Sequence, residues 1–417
     1  MSIFDKIIRS IMSNTEDKDD GLLNEIYEHL SSNSSPTLSE LIDKRKLELK
    51  IVGDSHLAKA IGLDRNTLKR IINGENDKAD VLSLLKISHF LGAEIQETVR
   101  IYIDSLKPGA KDELIDVKKS TYILKHFDLQ GLKQQGFLNS TTDFKYIETR
   151  IVKFFGLKTI FDYGIEVGHA LFSRANLKSH DQLREFWVRC AYTEFKKLNN
   201  SNDYFKKNLE ELLPRIRPYT RHIKLGFYTV IKALYNIGVT VIVQDYFAKT
   251  QVYGASFVVN GKPCIVITNR NNKYPILWQS LLHELYHIFY DFEELKSRNY
   301  HLTGEDDLFL MREDDANYFA SELLFPKSNL EKVAYYIKSN IYVEEFAKVN
   351  NVHPSIIYNS YCRYKKEEGE NCYPFYSKYI IDASEAIQHI KSNPWNKETL
   401  AEEIESIKIK LENINNT

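Results

Sequence analysis

His283 and His287 stand four residues apart in LLHELYHIFYD, residues 281 to 291, with Glu284 directly after the first. On a helix, side chains at i and i+4 lie one above the other, so the two imidazoles would point the same way. Two imidazoles one turn apart can each give a ring nitrogen to one Zn²⁺. Glu284 is then placed to take a proton from a water on that ion rather than to bind the metal itself. Zinc brings the pKa of such a water to roughly 7, which makes a hydroxide-like nucleophile available at neutral pH. The spacing also fits a plain buried helix, because the chain holds 12 histidines. Context decides between the two, and a catalytic zinc needs a third protein ligand.

That ligand is sought in MREDDANYFASELLFP, residues 311 to 326. Glu313, Ala316, Asn317 and Ala320 share one helical face, and the small alanines would let this helix approach the first closely. Asp314, Asp315 and His301, in the intervening loop, compete with Glu313 for the role. An acidic first turn is also ordinary at a helix N-terminus. Asp291, one turn beyond His287, either holds that imidazole by a hydrogen bond or simply ends the helix in solvent.

The elements that must position these residues can be read from period and punctuation. Pro275 suits a first helical turn, and Trp278, Leu281, Leu282, Leu285, Ile288 and Phe289 form an apolar stripe with the histidines off it. Ahead of that helix the period switches to two: GVTVIVQD, GASFVV and CIVIT read as strands, with NGK at 260 to 262 as a hairpin turn. Before the strands, from about residue 136 to 235, the pattern is helical and rich in aromatics. Phe186, Trp187, Tyr192 and Phe195 there read as core, and the charge run from Lys365 to Glu370 reads as a solvated face.

The composition bounds the rest. A chain of 417 residues with 43% hydrophobic and 12% aromatic residues folds, with length for two to three domains. A net charge of -1 excludes a globally basic nucleic-acid coat, though not a local patch. No apolar run reaches bilayer length, and MSIFDKIIRSIMSN lacks a signal-peptide core. The cysteines Cys190, Cys264, Cys362 and Cys372 are scattered and form no CxxC, as free thiols of a reducing compartment would be. A cytoplasmic protein with no membrane partner is expected.

A second constellation lies near the N-terminus, in SHLAKAIGLDRNTLKRIINGE, residues 55 to 75. Leu57, Ala58 and Ile61 would form the inner face of one helix, Gly62 the turn, Leu63 its plug and Asp64 the cap of the next helix. That second helix turns Leu68, Ile71 and Ile72 inward and Arg65, Asn66, Lys69 and Arg70 outward, before Asn73-Gly74 stops it. Arg and Asn on the first turns of such a helix suit guanine and adenine edges in a major groove, and Lys69 or Arg70 suits phosphate. Asp54 stands close by, and an acid beside a phosphate would weaken binding. A small helical module for protein docking is the competing interpretation.

Both constellations carry a resemblance. GVTVIVQD, YGASFVVNGKPCIVIT, PILWQSLLHELYHIFY and REDDANYFASELLFP, in that order, resemble the ImmA/IrrE family of metallopeptidases across its catalytic domain. The family's Glu-x-x-Ala-Asn-x-Phe-Ala motif falls on Glu313, which supports Glu313 over the neighbouring aspartates. YVEEFAKVNNVHPSIIYNSY, residues 342 to 361, resembles the family's trailing segment. Two positions depart from the pattern: Tyr286 replaces a usual glycine before the second histidine, where it could crowd the cleft, and Gln279-Ser280 replaces a usual Phe-Thr. Residues 55 to 75, with the VLSLLKISHFLGAEI that follows, resemble the XRE (Cro-like) helix-turn-helix family, without the glutamine often found at the start of its second helix.

The resemblances imply an α+β multidomain chain. Its expected segments are an N-terminal helix and linker (1–37), an all-α helix-turn-helix domain (38–106) and a helical connecting region (107–235). A zincin-like α+β domain with a small mixed sheet (236–365) and a C-terminal helical tail (366–417) follow. They imply a zinc endopeptidase that cuts one protein partner, of the repressor or antitoxin class, and that binds double-stranded DNA. Ligands would be His283, His287 and Glu313, with Glu284 as general base; a homodimer is compatible with this. A substrate peptide would add as a strand to an exposed edge such as Ala255 to Val259 or Cys264 to Thr268. The alternative is a non-catalytic XRE-type repressor or antitoxin whose zincin-like domain only senses a partner.

Overall fold

The computed structural model describes residues 36–75, 78–165, 179–247, 250, 254–298, 301–303 and 310–412. The expected N-terminal helix and linker, 1–37, lies almost wholly outside these residues. The chain divides into two compact units, Met1–Lys118 and Lys119–Thr417, with the division falling inside a helix, Pro108–His126.

In the first unit, five helices are described before that one: α1 (Leu38–Glu48), α2 (Asp54–Ile61), α3 (Arg65–Ile72), α4 (Val81–Leu91) and α5 (Ile95–Ser105). Thr37 starts α1 with a capping box, accepting from the Glu40 N–H while the Glu40 carboxylate accepts from the Thr37 N–H. α2 ends at Gly62, whose φ of 64° is the left-handed conformation that glycine adopts without a Cβ penalty. Asp64 caps α3 by accepting from the N–H groups of Asn66 and Thr67. Leu38, Ile42, Leu57, Leu68, Ile71 and Ile87 meet in one small core.

The second unit opens with the end of Pro108–His126 (α6). α7 (Leu129–Gln134), α8 (Phe144–Phe155), α9 (Ser179–Leu198), α10 (Lys206–Leu212) and α11 (Gly226–Asn236) follow. Then come β1 (Thr240–Gln244), β2 (Gly254–Val259), β3 (Lys262–Thr268), α12 (Tyr274–Tyr290), α13 (Phe292–Arg298), β4 (His301–Thr303) and α14 (Leu310–Leu324). The chain closes with α15 (Lys327–Ala334), α16 (Asn340–Val349), α17 (Pro354–Glu367), β5 (Lys391–Ser392) and α18 (Leu400–Glu412). The fold is α+β, with helices preceding a small mixed sheet.

The sheet order is β4-β2-β3-β1-β5. β1 pairs in parallel with β3 and β5, while β2 is antiparallel to both β3 and β4. β1 is buried along its whole length, with α9 and α11 packed against it, which is why Val241–Val243 are apolar in succession and do not alternate with polar residues. Asn260 and Gly261 both take positive φ, 52° and 77°, as a two-residue hairpin between β2 and β3 demands. Cys264–Thr268 is therefore an interior strand, not the free edge considered from sequence. Ala255–Val259 is covered in part by β4.

One hydrophobic core runs from Ile123 to Leu411. Phe186, Trp187, Tyr192 and Phe195 of α9 lie in it, and the Trp187 indole N–H donates to the Asp245 carbonyl at 3.0 Å. A buried indole needs that partner. The C-terminal segment belongs to the same core. β5 adds to the sheet, α18 packs on α9, and the Trp395 ring lies 4.1 Å from that of Phe247. The two-residue β5 is too short to leave a period in the sequence. All four cysteines are buried free thiols. Among the described residues, no helix is long and apolar enough to cross a membrane.

Candidate metal centre

α12 is buried nearly all round. Pro275 sits in its first turn, and the helix lies between β2 and β3 on one side and α14 on the other. Trp278, Leu281, Leu285 and Ile288 are fully buried, and Trp278 meets the Phe227 ring edge-on at 5.0 Å. The residues off that stripe are not in solvent either. His283, Glu284 and His287 are only 3%, 1% and 3% exposed, because α14 covers them. Ala316 and Ala320 are fully buried on the covering helix. Their small side chains permit the close approach, and a leucine at either position would push the helices apart.

Glu313 enters from the first turn of α14. Its Oε2 lies 3.3 Å from His283 Nε2 and its Oε1 lies 3.4 Å from His287 Nε2. The two Nε2 atoms are 3.3 Å apart. Ligands held about 2.0–2.1 Å from a tetrahedral zinc stand roughly 3.3–3.4 Å from one another, so this donor triangle fits a zinc ion. These three residues are the group of potential ligands that the described residues bring together. Asp314 and Asp315 are exposed on the outer side of α14 and do not join them. His301 lies in β4, and its side chain is outside the described part.

Each imidazole is aimed by a partner at its other nitrogen. Asp291 Oδ2 lies 2.9 Å from His287 Nδ1, and Asn317 Oδ1 lies 3.1 Å from His283 Nδ1. Both partners are acceptors, so each ring donates its Nδ1 proton to them and turns Nε2 to the centre, where a metal ion would take the place of any Nε2 proton. Burial alone would push the His287 pKa down. Hydrogen bonds to Asp291 and Glu313 and the charge of Glu284 outweigh it, and raise the value to about 9.

Glu284 is fixed from the sheet. The Ser256 hydroxyl donates to its Oε2 at 2.6 Å, and a Cβ built on Gly254 would stand 2.3 Å from its Oε1. Neither β2 residue carries a role from spacing. The GAS triplet contains the signal, but 28 positions separate Ser256 from Glu284. Tyr286 packs on Tyr290 and Phe319, with ring separations of 4.7 and 5.5 Å, and also meets the His287 ring edge-on at 5.6 Å. Gln279, the other departure noted above, binds α12 to α14 by donating to the Asn317 carbonyl and the Ser321 hydroxyl, each at 3.3 Å. Beyond the end of α12 a cleft of about 630 Å³ opens between Tyr204, Lys206, Tyr290 and Asp291.

Residues 236–358 match the IrrE N-terminal-like domain. That IrrE-like domain begins at the end of α11 and closes within α17, so it contains β1 to β4, both helices of the donor triangle and the residues that hold Glu284. No curated protein and no solved structure matches the chain. The IrrE-like match leaves the N-terminal unit outside it.

In that unit, Arg65, Asn66, Lys69 and Arg70 are all exposed on α3, while Leu68 and Ile71 are buried behind them. Asp54 does not stand alone beside them. The Lys46 ammonium binds its carboxylate at 2.6 Å, and that hydrogen bond, with help from Arg65 and Lys69, holds the Asp54 pKa below its usual value. The acid is thus neutralised from α1.

Proposed function

We propose that this protein is a zinc endopeptidase that cuts one specific protein partner, of the repressor or antitoxin class, and is carried to double-stranded DNA by its N-terminal helices. The single observation that bears the peptidase reading is the donor triangle of His283, His287 and Glu313 with a buried, hydrogen-bonded Glu284 beside it. The IrrE-like match supports it independently.

His283, His287 and Glu313 would hold the ion, and Asp291 and Asn317 would keep the two imidazoles aimed at it. Bound zinc would polarise the scissile carbonyl and lower the pKa of a bound water to about 7. Glu284 takes the proton from the attacking water and returns it to the leaving amine, the usual work of a general base that turns acid. Ser256 holds one of its oxygens, so the carboxylate does not have to find its orientation at the moment of reaction. A scaffold that only stored metal would have no use for a buried carboxylate in that position.

For DNA, Arg65 and Asn66 would reach base edges, while Lys69 and Arg70 would reach phosphate. The support is the exposure of all four on one short helix and the pairing of Asp54 with Lys46. The test of the peptidase reading is elemental analysis of the purified chain beside a His283→Ala variant, followed by a cleavage assay on candidate partners with Glu284→Gln. About one zinc per chain, lost in the first variant, and cleavage lost in the second are expected. Zinc-free protein after zinc is supplied, or cleavage that survives Glu284→Gln, would overturn it.

A further inference from the structure

β2 is the strand that meets the candidate base, through Gly254 and Ser256. Its edge away from β3 is occupied at those same residues. Gly254 pairs with Thr303, Ala255 with Leu302 and Ser256 with His301, antiparallel. The other half of β2, Phe257–Val259, pairs with β3 alone among the described residues. β4 is three residues long and lies in the link from α13 to α14, the helix that delivers Glu313.

An extended polypeptide docks on a sheet by pairing with a strand edge. The edge beside Glu284 is that of β2. β3 is interior, and the outer edge of β1, on the far side of the sheet, carries β5. We propose that β4 is a built-in occupant of the substrate's strand position, which an incoming segment must displace before it can be cut. This rests on the peptidase reading above. The device keeps a buried peptidase centre shut to casual peptides without a separate inhibitor.

The test uses a fluorescent synthetic peptide with the sequence of residues 299–306, NYHLTGED, and the full-length chain. His301→Pro weakens β4: Val259 and Lys262 bond each other across the two-residue hairpin, so Ala255 bonds β3 while Ser256 bonds His301, whose ladder donor proline removes. The pair Ala255→Cys with Leu302→Cys places two thiols directly opposite across the strands, to be linked with oxidised glutathione and released by reductant. The peptide should bind His301→Pro at least tenfold more tightly than the parent chain. It should fail to bind the cross-linked form and recover on reduction. Equal binding to the linked and reduced forms overturns the proposal, as does no gain with His301→Pro when its circular dichroism is unchanged. If His301→Pro does not fold, the reversible cross-link decides alone. This readout needs neither metal nor turnover. Strand exchange without zinc or cleavage would therefore count against the peptidase reading and not against the role of β4.

Discussion

Glu284 sits between two constraints, the Ser256 hydroxyl on Oε2 and the bare Cα of Gly254 against Oε1. Replacing Glu284 by Gln keeps the shape and removes the proposed base. Cleavage should fall by roughly 10²–10⁴-fold, with zinc content unchanged by elemental analysis. Gly254→Ala tests the other wall. No positive φ is at stake there, so the effect comes from the methyl group, which would stand 2.3 Å from Oε1 and 2.9 Å from Cδ. The carboxylate must move, and kcat should drop with little change in zinc content. An unchanged kcat would mean that the Glu284 position is not critical. At this scale the sequence was legible where chemistry is packed into adjacent positions. His283, Glu284 and His287 announce themselves on one turn and a third of helix. Ser256 does not, because a serine in an apolar strand has no local signature and its partner arrives only through sheet-on-helix packing.

α12 and α14 make the centre as a pair, and each supplies a hydrogen bond that aims a histidine. Asp291→Ala and Asn317→Ala should each weaken zinc binding about 10–100-fold in a chelator competition, since partners of this kind orient the ligand. Neither should unfold the chain, because the alanine contacts and the Gln279 bridge remain. α17 offers a separate pH test. His353 caps it, its Nδ1 accepting from the Ser355 N–H, and burial together with the charge of Arg221 lowers its pKa to about 4. The folded state therefore prefers the neutral ring, while the unfolded chain takes up a proton near pH 6.5. The stability this cap contributes is present above about pH 6.5 and is lost as the pH falls towards 4. His353→Gln should flatten that part of the Tm-against-pH curve, and an unchanged slope would remove His353 as its cause.

The chain is built around two cores, one from Leu38 to Leu106 and one from Ile123 to Leu411. Damage to one should leave the other's function intact. Leu68→Ala, at a fully buried position behind the exposed Arg65 and Lys69, should cost about 2–5 kcal/mol of the first unit's stability. On the proposed DNA-binding role of that unit, retention on DNA should fall while the zinc content expected of the second unit stays the same. Removing zinc should do the reverse. A chelator should lower the melting temperature of the second unit, where the ion would tie α12 to α14, and spare the first; for a ligand at 1,000 times its Kd the loss is about 4 kcal/mol. A scan in which chelation shifts nothing would argue that no metal is bound.

By itself, the sequence determined the elements whose period is long or whose chemistry is local. These are the HELYH helix with Pro275 at its start, the Asn260-Gly261 hairpin, the buried strand β1 and the paired helices around Gly62. Each depends on neighbours within a few positions, which is what a linear pattern records. Read as residue types alone, Glu313, Asp314 and Asp315 stayed in competition and only the motif resemblance favoured Glu313; tertiary structure turns Glu313 onto the histidines and leaves the two aspartates exposed. It also decided that β3 is interior, that two residues near the C-terminus extend the sheet, and that β4 lies along the strand beside Glu284. Those facts are pairings between segments tens to hundreds of residues apart. Backbone hydrogen bonds between strands are blind to side-chain identity, so they leave no mark in the sequence until the fold brings the strands together.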